Sequence, residues 1–138
     1  MKTLIVEDDH TSRLLMRALT QSFGPVHLAV NGREAVDSVA RALKMGEPYD
    51  FICLDIMMPE MDGQEALKAI RNLEQDHEVP LEQRAKIIMT TALDDMKTVM
   101  AAYGGSCDGY LTKPVDQGRL LDEMRSAGLL DTWAEARR

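Results

Sequence analysis

Short apolar runs alternate with helical patterns along the whole chain. Each run is bounded by Gly, Pro, Asn or charged residues, which end regular structure and favour loops. From these runs we predict five strands: Thr3–Val6, Val26–Val30, Phe51–Leu54, Lys86–Thr90 and Gly109–Thr112. The alternation predicts a single α/β domain in which helices cover both faces of a parallel sheet.

Between and after the strands, apolar residues recur at helical spacing and predict five helices. The first would bury Leu14, Leu15, Ala18, Leu19 and Phe23, and the second Ala35, Val36, Val39, Ala40 and Leu43. The third would bury Ala66, Leu67, Ile70 and Leu73, the fourth Leu93, Met96, Val99, Met100 and Tyr103, and the last Leu120, Leu121 and Met124. Residues 74–85 are polar and predict a long mobile connection. Gly128 should interrupt the last helix, and Thr132–Glu135 then fit a capping box.

Reactive side chains follow four of the predicted strands. Glu7, Asp8 and Asp9 follow the first, Asp55 the third, Thr91 the fourth and Lys113 the fifth. Ligands collect at the carboxyl ends of the strands in open parallel sheets, so we expect these groups to meet at one edge. Alone, Asp55 would be interpreted as a solvated loop residue, the usual environment of Asp. The convergence favours a functional role for it.

The types of these side chains indicate a chemistry. Clustered carboxylates repel one another, so such a cluster either raises a pKa or binds a cation. Oxygen ligands favour a hard ion, above all Mg²⁺. Lys113 adds an ammonium and Thr91 a hydrogen-bond donor, which suits a phosphoryl group attacked in line by a carboxylate. With Asp55 as the nucleophile, the product would be an aspartyl phosphate.

Composition and charge narrow the function classes. The chain has 138 residues and a formal net charge of -7, which argues against a nucleic-acid partner. No apolar run approaches the roughly 20 residues of a membrane span, and the start becomes acidic too soon for a signal peptide. A cytoplasmic location is therefore expected. Cys53 and Cys107 lack metal spacing and are interpreted as small buried hydrophobic residues in strand-like settings.

Four motifs make the chain resemble the receiver domain of two-component response regulators, especially the stand-alone type of the bacterial chemotaxis regulator. They are Leu-Ile-Val-Glu-Asp-Asp near the start, Leu-Asp-Ile-Met-Met-Pro-Glu-Met-Asp-Gly, Met-Thr-Thr-Ala and Gly-Tyr-Leu-Thr-Lys-Pro. The resemblance covers about residues 1–127 and leaves 128–138 as a short C-terminal extension. It implies a flavodoxin-like fold with five parallel strands in the order 2-1-3-4-5.

The resemblance also implies which residues bind the metal and the phosphoryl group. Asp55 would be the phosphoacceptor, with Mg²⁺ as the cofactor. Asp8 would bind the metal directly and Glu7 through water, and Asp55 and the backbone carbonyl of Met57 would complete the protein ligands. Lys113 would pair with the phosphoryl oxygens, with a cis Lys113–Pro114 peptide bond aiming its side chain.

Signalling follows from the same resemblance. Thr91 would be the switch hydroxyl, the backbone N–H of Ala92 would meet a phosphoryl oxygen, and Tyr110 would change rotamer when Thr91 moves inward. A signalling face on the fourth helix, fifth strand and last helix would then change shape; we define it as Met96, Lys97, Met100, Tyr110, Gln117 and Arg119. The phosphodonor would be a histidine kinase or a histidine phosphotransfer protein, and the target another protein. The chain would be a monomer or weak homodimer, and its catalysis would be limited to its own phosphorylation and dephosphorylation.

Several positions depart from the family pattern. Met57 and Leu93 lie two residues after Asp55 and Thr91, where side chains influence the attack of water on the phosphoryl group. Their apolar character predicts a slowly hydrolysing acyl phosphate; alternatively, both simply cover the loop. Val115 stands where Phe is usual, and Ser106-Cys107 replace the commoner Gly-Ala.

The remaining polar and soft side chains carry weaker signals. His10 lies beside the acid cluster and could coordinate a metal, but a position in a loop or first helical turn is the favoured interpretation. His27 should lie in the second strand and His77 in the polar connection, neither with metal spacing. Asp94-Asp95 read as the start of a helix. Trp133 packs on its own domain or anchors a partner, and the sequence does not separate these alternatives.

Three other functions stay open at this point. A receiver piece of a longer regulator or hybrid kinase would share every motif, although Met1 directly before the first strand favours a complete protein. A phosphohydrolase of the haloacid dehalogenase type would need an acid at position 57, where this chain has Met. A flavin carrier would need a Ser/Thr-rich phosphate loop after the first strand, where this chain has acids.

Overall fold

Parallel strands form one sheet at the centre of the molecule. The computed structural model describes residues 1–58, 61–92, 97 and 106–130. The strands are β1 (Thr3–Val6), β2 (Val26–Ala29), β3 (Phe51–Asp55), β4 (Lys86–Thr91) and β5 (Gly109–Thr112). All neighbouring strands pair in parallel, in the order β2-β1-β3-β4-β5. The predicted fold class and strand order are confirmed, and β3 and β4 each extend one residue further than predicted, to Asp55 and Thr91.

Four described helices connect or follow the strands, each with a side-chain cap at its start. They are α1 (His10–Thr20), α2 (Gly32–Lys44), α3 (Gly63–Asp76) and α4 (Gln117–Ser126), with short 3-10 turns at Gln21–Phe23 and Leu81–Gln83. The caps are Asp9, Asn31, Asp62 and Asp116, whose side chains accept backbone N–H bonds from the first turn. Such caps each stabilise a helix by about 1 kcal/mol. The sequence therefore fixes where each helix begins.

The core has two halves, one on each face of the sheet. Along β3 the side chains alternate, so Ile52 and Leu54 face one half while Phe51 and Cys53 face the other. The first half packs against α2 and α3 and the second against α1 and α4. All five residues of β3 are buried, which confirms the prediction of a strand covered on both faces.

The predicted buried face of α1 is wrong for three of its five residues. Leu14, Leu15 and Ala18 are exposed, and the buried positions are Met16 and Thr20. The Thr20 hydroxyl donates to the Met16 carbonyl oxygen at 2.8 Å, so a polar side chain can be buried there with its hydrogen bond satisfied. Leu19 and Phe23 do pack against the core, so the predicted face is only partly displaced; the sequence pattern treats Thr20 as a surface residue and misses its burial.

The connection before β4 begins later than predicted, because α3 continues through Glu74 to Asp76. Glu74 is only 3% exposed. Its carboxylate accepts from Arg71 Nη1 at 2.6 Å and from the Ala85 amide at 2.8 Å. The Arg71 guanidinium also donates to Asp108 Oδ2 at 3.0 Å, and that oxygen accepts the Ile87 amide at 2.8 Å. This network ties α3 to the starts of β4 and β5.

Some predictions fall on parts of the chain that are not described. Of the predicted fourth helix, only Lys97 lies within the described residues. The Asp94-Asp95 start signal lies outside them, and so do the capping box at Thr132–Glu135 and Trp133. Gly128 follows the end of α4 with φ of 83°, a left-handed conformation that Gly adopts without steric cost, as its predicted interrupting role requires. Within the described ranges, no helix has the length and apolar character needed to cross a membrane.

Replacing Glu74 by Ala tests the buried network. The change removes the acceptor of a buried amide and one partner of Arg71, so the free energy of unfolding should fall by roughly 2–3 kcal/mol. Ala is a better helix former than Glu, so helix propensity would act in the opposite direction. Urea unfolding measures the effect. The exposed neighbour Gln75→Ala is the matched control, and equal effects of the two changes would contradict a special role for Glu74.

Candidate functional site

The functional groups predicted at the strand ends lie at one edge of the sheet. Asp55 is the last residue of β3 and Thr91 the last of β4, while Glu7 and Lys113 directly follow β1 and β5. The parallel register pairs Val6 with Leu54, Asp55 with Thr90, and Thr91 with Thr112. Four strands therefore end level with one another, and their side chains can meet.

Lys113 joins two buried carboxylates. Its Nζ lies 2.8 Å from Glu7 Oε1 and 3.2 Å from Asp55 Oδ2. The residues Glu7 and Asp55 are each 3% exposed, whereas the Lys113 side chain is 34% exposed. The Lys113 side chain thus reaches solvent, whereas the two acids that it contacts are buried. The Lys113–Pro114 bond is cis, as the resemblance implied.

Backbone groups orient the two carboxylates. The Asp9 amide donates to Glu7 Oε2 at 3.1 Å, and the Met57 amide donates to Asp55 Oδ1 at 3.3 Å. Gly63 lets α3 begin against β3, because a Cβ at this position would lie 2.3 Å from the Asp55 carbonyl oxygen. Any larger residue at position 63 would push the helix away from the strand that carries Asp55.

Burial, hydrogen bonds and the proximity of like charges together separate the pKa values of Asp55 and Glu7. Burial, followed by the adjacent Glu7 carboxylate, raises the pKa of Asp55 well above its usual range despite Lys113. Burial opposes ionisation of Glu7 too, but hydrogen bonds led by that of Lys113 lower its pKa. Burial disfavours the charged form of Lys113, yet its bond to Glu7 and the two negative charges raise its pKa. The ammonium therefore stays protonated at neutral pH.

The acids at the end of β1 divide into separate roles. Carboxylate oxygens of Glu7, Asp8 and Asp55 lie within 4.8 Å of one another, close enough to share one cation. Asp9 does not belong to this group, because its side chain accepts from the Ser12 amide at 2.8 Å and caps α1. The three oxygen donors fit a hard divalent ion such as Mg²⁺. The carbonyl of Met57 stays a predicted ligand.

Two predicted switch hydroxyls are buried. Thr91 Oγ1 has no hydrogen-bond partner within the described part of the chain, whereas the Tyr110 hydroxyl interacts with the Cys107 thiol. A buried hydroxyl without an acceptor costs free energy, so Thr91 is suited to a ligand that brings one. Burial raises the pKa of Tyr110 above its usual value, and its ring packs against the core half of α2 and α3. Ala92 follows Thr91 directly and is exposed.

One residue beside the acids is not identified by the sequence analysis. Arg13, in the first turns of α1, donates through Nη1 to the carbonyl oxygens of Glu7 at 3.0 Å and Asp8 at 3.3 Å. Its Nη2 lies 3.2 Å from His10 Nδ1. The sequence signal is an arginine one turn after a helix cap, and such residues are common on exposed helix faces.

The other candidate ligands have structural roles. His10 is in the first turn of α1 and His27 is in β2, as predicted, and His27 Nδ1 lies 2.7 Å from the Tyr49 hydroxyl. Burial raises the pKa of Cys53 to about 12, which makes it an inert thiol. The interpretation of Cys107 as a buried strand residue is wrong, because it lies half-buried in the turn before β5. Its polar neighbours Ser106 and Asp108 bond Arg71 and thereby fix that turn.

Met57 and Val115, which depart from the family pattern, lie within the described residues. The Met57 side chain is 70% exposed, so it does not bury the loop, whereas Leu93 lies outside the described residues. Val115 packs against the core half of α1 and α4. The slow hydrolysis inferred from Met57 and Leu93 stays a prediction.

Comparison with known proteins gives consistent matches. The family model of the response regulator receiver domain matches residues 3–125. The response regulator MprA of Mycolicibacterium vanbaalenii is 33% identical over 127 residues, which are 91% of this chain and 49% of that protein. The osmosensing histidine protein kinase SLN1 of Saccharomyces cerevisiae is 30% identical over 122 residues, 87% of this chain and 9% of the kinase. The chain therefore spans about half or less of the length of these curated relatives.

Solved structures have the same fold. The receiver domain of a sensor histidine kinase from Pseudomonas aeruginosa, with a magnesium ion coordinated in its active site cleft, has a TM-score of 0.72 and 28% identity, covering 92% of this chain and 97% of that one. The CheX-CheY-BeF3-Mg complex of Borrelia burgdorferi contains a match with a TM-score of 0.77 and 25% identity, covering 94% of this chain and 90% of that one. The fold of this chain thus has counterparts in signalling proteins, two of which were solved with magnesium.

Proposed function

The chain belongs to the response regulator receiver domain family, whose members are signalling modules, and we propose that it accepts a phosphoryl group on Asp55. The observation that carries this proposal is the position of Asp55. It is buried at the end of β3, with the Lys113 ammonium at 3.2 Å. At the end of the neighbouring strand lies the Thr91 hydroxyl, which has no hydrogen-bond partner among the described residues. A nucleophile, a counter-charge and a hydrogen-bond donor therefore converge where a phosphoryl group would lie.

The transfer itself is a displacement at phosphorus. A carboxylate oxygen of Asp55 attacks the phosphorus of a phosphohistidine, and a P–O bond forms as the P–N bond breaks. The electron pair of the P–N bond returns to the imidazole, which takes up a proton from solvent, and the product is a mixed anhydride on Asp55. Lys113 neutralises the phosphoryl oxygens, and Thr91 donates a hydrogen bond to one of them. The Ala92 amide would donate to another.

The metal part of the proposal rests on the acidic cluster. Asp8 and Asp55 would hold Mg²⁺ directly, the Met57 carbonyl would complete the protein ligands, and Glu7 would act through water. When bound, the ion neutralises charge on the phosphoryl oxygens during transfer. Glu7 is already engaged with Lys113, which favours the indirect role for its carboxylate.

The partners follow from the chemistry of the donor. The phosphodonor would be a histidine kinase or a histidine phosphotransfer protein, as expected for a receiver domain. Residues 1–127 would form the functional unit. A stand-alone regulator and a receiver within a longer regulator or hybrid kinase are both compatible with the relatives, which include response regulators and histidine kinases.

Signalling would proceed through Thr91 and Tyr110. A phosphoryl oxygen on Asp55 gives the Thr91 hydroxyl an acceptor and draws it towards the site. The Tyr110 hydroxyl is buried in this structure, so an inward position of the ring is sterically available. A ligand that favours this inward state would shift the population of the signalling face. Of that face, Met96 and Met100 lie outside the described residues, while Lys97, Gln117 and Arg119 are exposed.

Beryllofluoride with Mg²⁺ tests the switching proposal, because it mimics a phosphoryl group on a carboxylate. We expect amide NMR shifts at Thr91, Tyr110 and Arg119, whereas Lys44 at the far end of α2 should stay unchanged. In Thr91→Val, which keeps the shape but lacks the hydroxyl, the shifts at Tyr110 should shrink. Unaltered spectra of the signalling face on addition of the mimic would contradict the proposal.

Phosphorylation is tested with a small phosphodonor such as acetyl phosphate and Mg²⁺. The wild-type protein should gain the mass of one phosphoryl group, and chelation of the metal should abolish the gain. Asp55→Asn should gain none, while Asp62→Asn, which alters a half-buried helix cap on the same loop, should behave as the wild type. An adduct that persists in Asp55→Asn would contradict the assignment of the acceptor. Continuous turnover of a phosphomonoester would instead indicate a phosphohydrolase.

A further inference from the structure

We propose that Arg13 is a positioning residue that fixes the acidic loop after β1 in the conformation that binds Mg²⁺. This inference rests on the proposed function, because it assigns Arg13 a role towards the metal ligands Glu7 and Asp8. Arg13 does not belong to the carboxylate cluster, and its contacts with the loop are to backbone atoms. Its effect would be to hold the loop that carries the ligands.

The argument begins with what holds Asp8. Its side chain is exposed and makes no hydrogen bond or ion pair with the described residues. Glu7, by contrast, is held by the Lys113 ammonium and the Asp9 amide. The direction of the Asp8 carboxylate therefore depends on its backbone conformation. A metal site needs that direction fixed before the ion arrives, because ordering it on binding would reduce affinity.

Arg13 contacts both peptide groups that determine this conformation. The Glu7 carbonyl belongs to the planar peptide before the Asp8 Cα, and the Asp8 carbonyl belongs to the planar peptide after it. The guanidinium nitrogen Nη1 donates to both oxygens, at 3.0 and 3.3 Å. Fixing both peptide planes fixes φ and ψ of Asp8, and with them the direction in which its side chain leaves the backbone.

Arg13 is itself held by contacts within the first turns of α1. Its backbone amide donates to the Asp9 carbonyl at 2.9 Å in the first turn of α1, whose start is set by the Asp9 cap. The second guanidinium nitrogen lies 3.2 Å from His10 Nδ1. The planar fork of arginine suits this bridging, since it directs several donors from one rigid group. The Arg13 side chain thus fixes the loop that carries the proposed metal ligands relative to α1.

A positioning role of Arg13 can be distinguished from a purely electrostatic one, because the two predict opposite changes in Mg²⁺ affinity when Arg13 is replaced. Arg13 is a cation next to a proposed cation site, so removal of its charge alone would strengthen Mg²⁺ binding. Removal of the positioning contacts would weaken Mg²⁺ binding, because Asp8 would sample other directions. Substitution of residues that orient metal ligands typically weakens affinity by about 10- to 100-fold.

Calorimetric titration of the whole chain with MgCl2 provides the test. We expect Arg13→Gln to weaken Mg²⁺ binding by about tenfold. Arg17→Gln, which removes the same charge from an exposed position one turn later on α1, should leave the affinity within about twofold of the wild type. Equal or tighter binding by Arg13→Gln would overturn the inference, whereas a wild-type protein that takes up no Mg²⁺ would overturn the metal part of the proposed function and this inference with it.

A second readout guards against loss of fold. Thermal unfolding by circular dichroism without metal checks that Arg13→Gln is folded. If it is not, Arg13→Lys replaces it, because lysine keeps the charge but lacks the planar guanidinium. This variant should also bind Mg²⁺ more weakly than the wild type. The rate of phosphorylation by acetyl phosphate should need more Mg²⁺ for half-saturation in the variant but reach nearly the wild-type maximum. A lowered maximum with an unchanged Mg²⁺ requirement would contradict a positioning role.

Discussion

The contact of Lys113 with two buried carboxylates is the interaction on which the site depends. Glu7 and Asp55 are each 3% exposed, and two like charges in that environment would repel each other strongly. The ammonium at 2.8 and 3.2 Å offsets this repulsion and links the ends of β1, β3 and β5. A shift of any of these strands by one residue would turn its side chain to the other face of the sheet. The contact between Lys113 and the two carboxylates therefore requires this register of the sheet.

The rest of the structure holds that register from both ends of the strands. At the carboxyl ends, Gly63 admits α3 against Asp55, and Arg13 holds the loop after β1. At the amino ends, the network of Arg71, Glu74 and Asp108 ties α3 to the starts of β4 and β5. Two apolar core halves cover the faces between these ends. Asp8 and Met57 are exposed on this frame, at the carboxyl ends of β1 and β3.

The sequence predicts the sheet and the converging site well because both depend on local patterns. Apolar runs define the strands, and the parallel arrangement brings Glu7, Asp55, Thr91 and Lys113 together. The errors arise where a polar side chain finds a distant or unexpected partner. Thr20 is buried because its hydroxyl bonds within α1, and Glu74 because Arg71 and the Ala85 amide satisfy it. Spacing along the chain carries no signal for such partners, and the same holds for the backbone contacts of Arg13.

The location of the proposed phosphoryl group on Asp55 can be determined in the wild-type protein, without any substitution at the site. Hydride reduction of the phosphorylated wild-type protein converts an acyl phosphate of Asp to homoserine, which peptide mass spectrometry can place in the sequence. We expect homoserine at position 55 and at no other acid, and only in protein treated with both phosphodonor and Mg²⁺. Homoserine at position 8 or 62, or a phosphoryl group that survives reduction on a histidine or a hydroxyl, would contradict it.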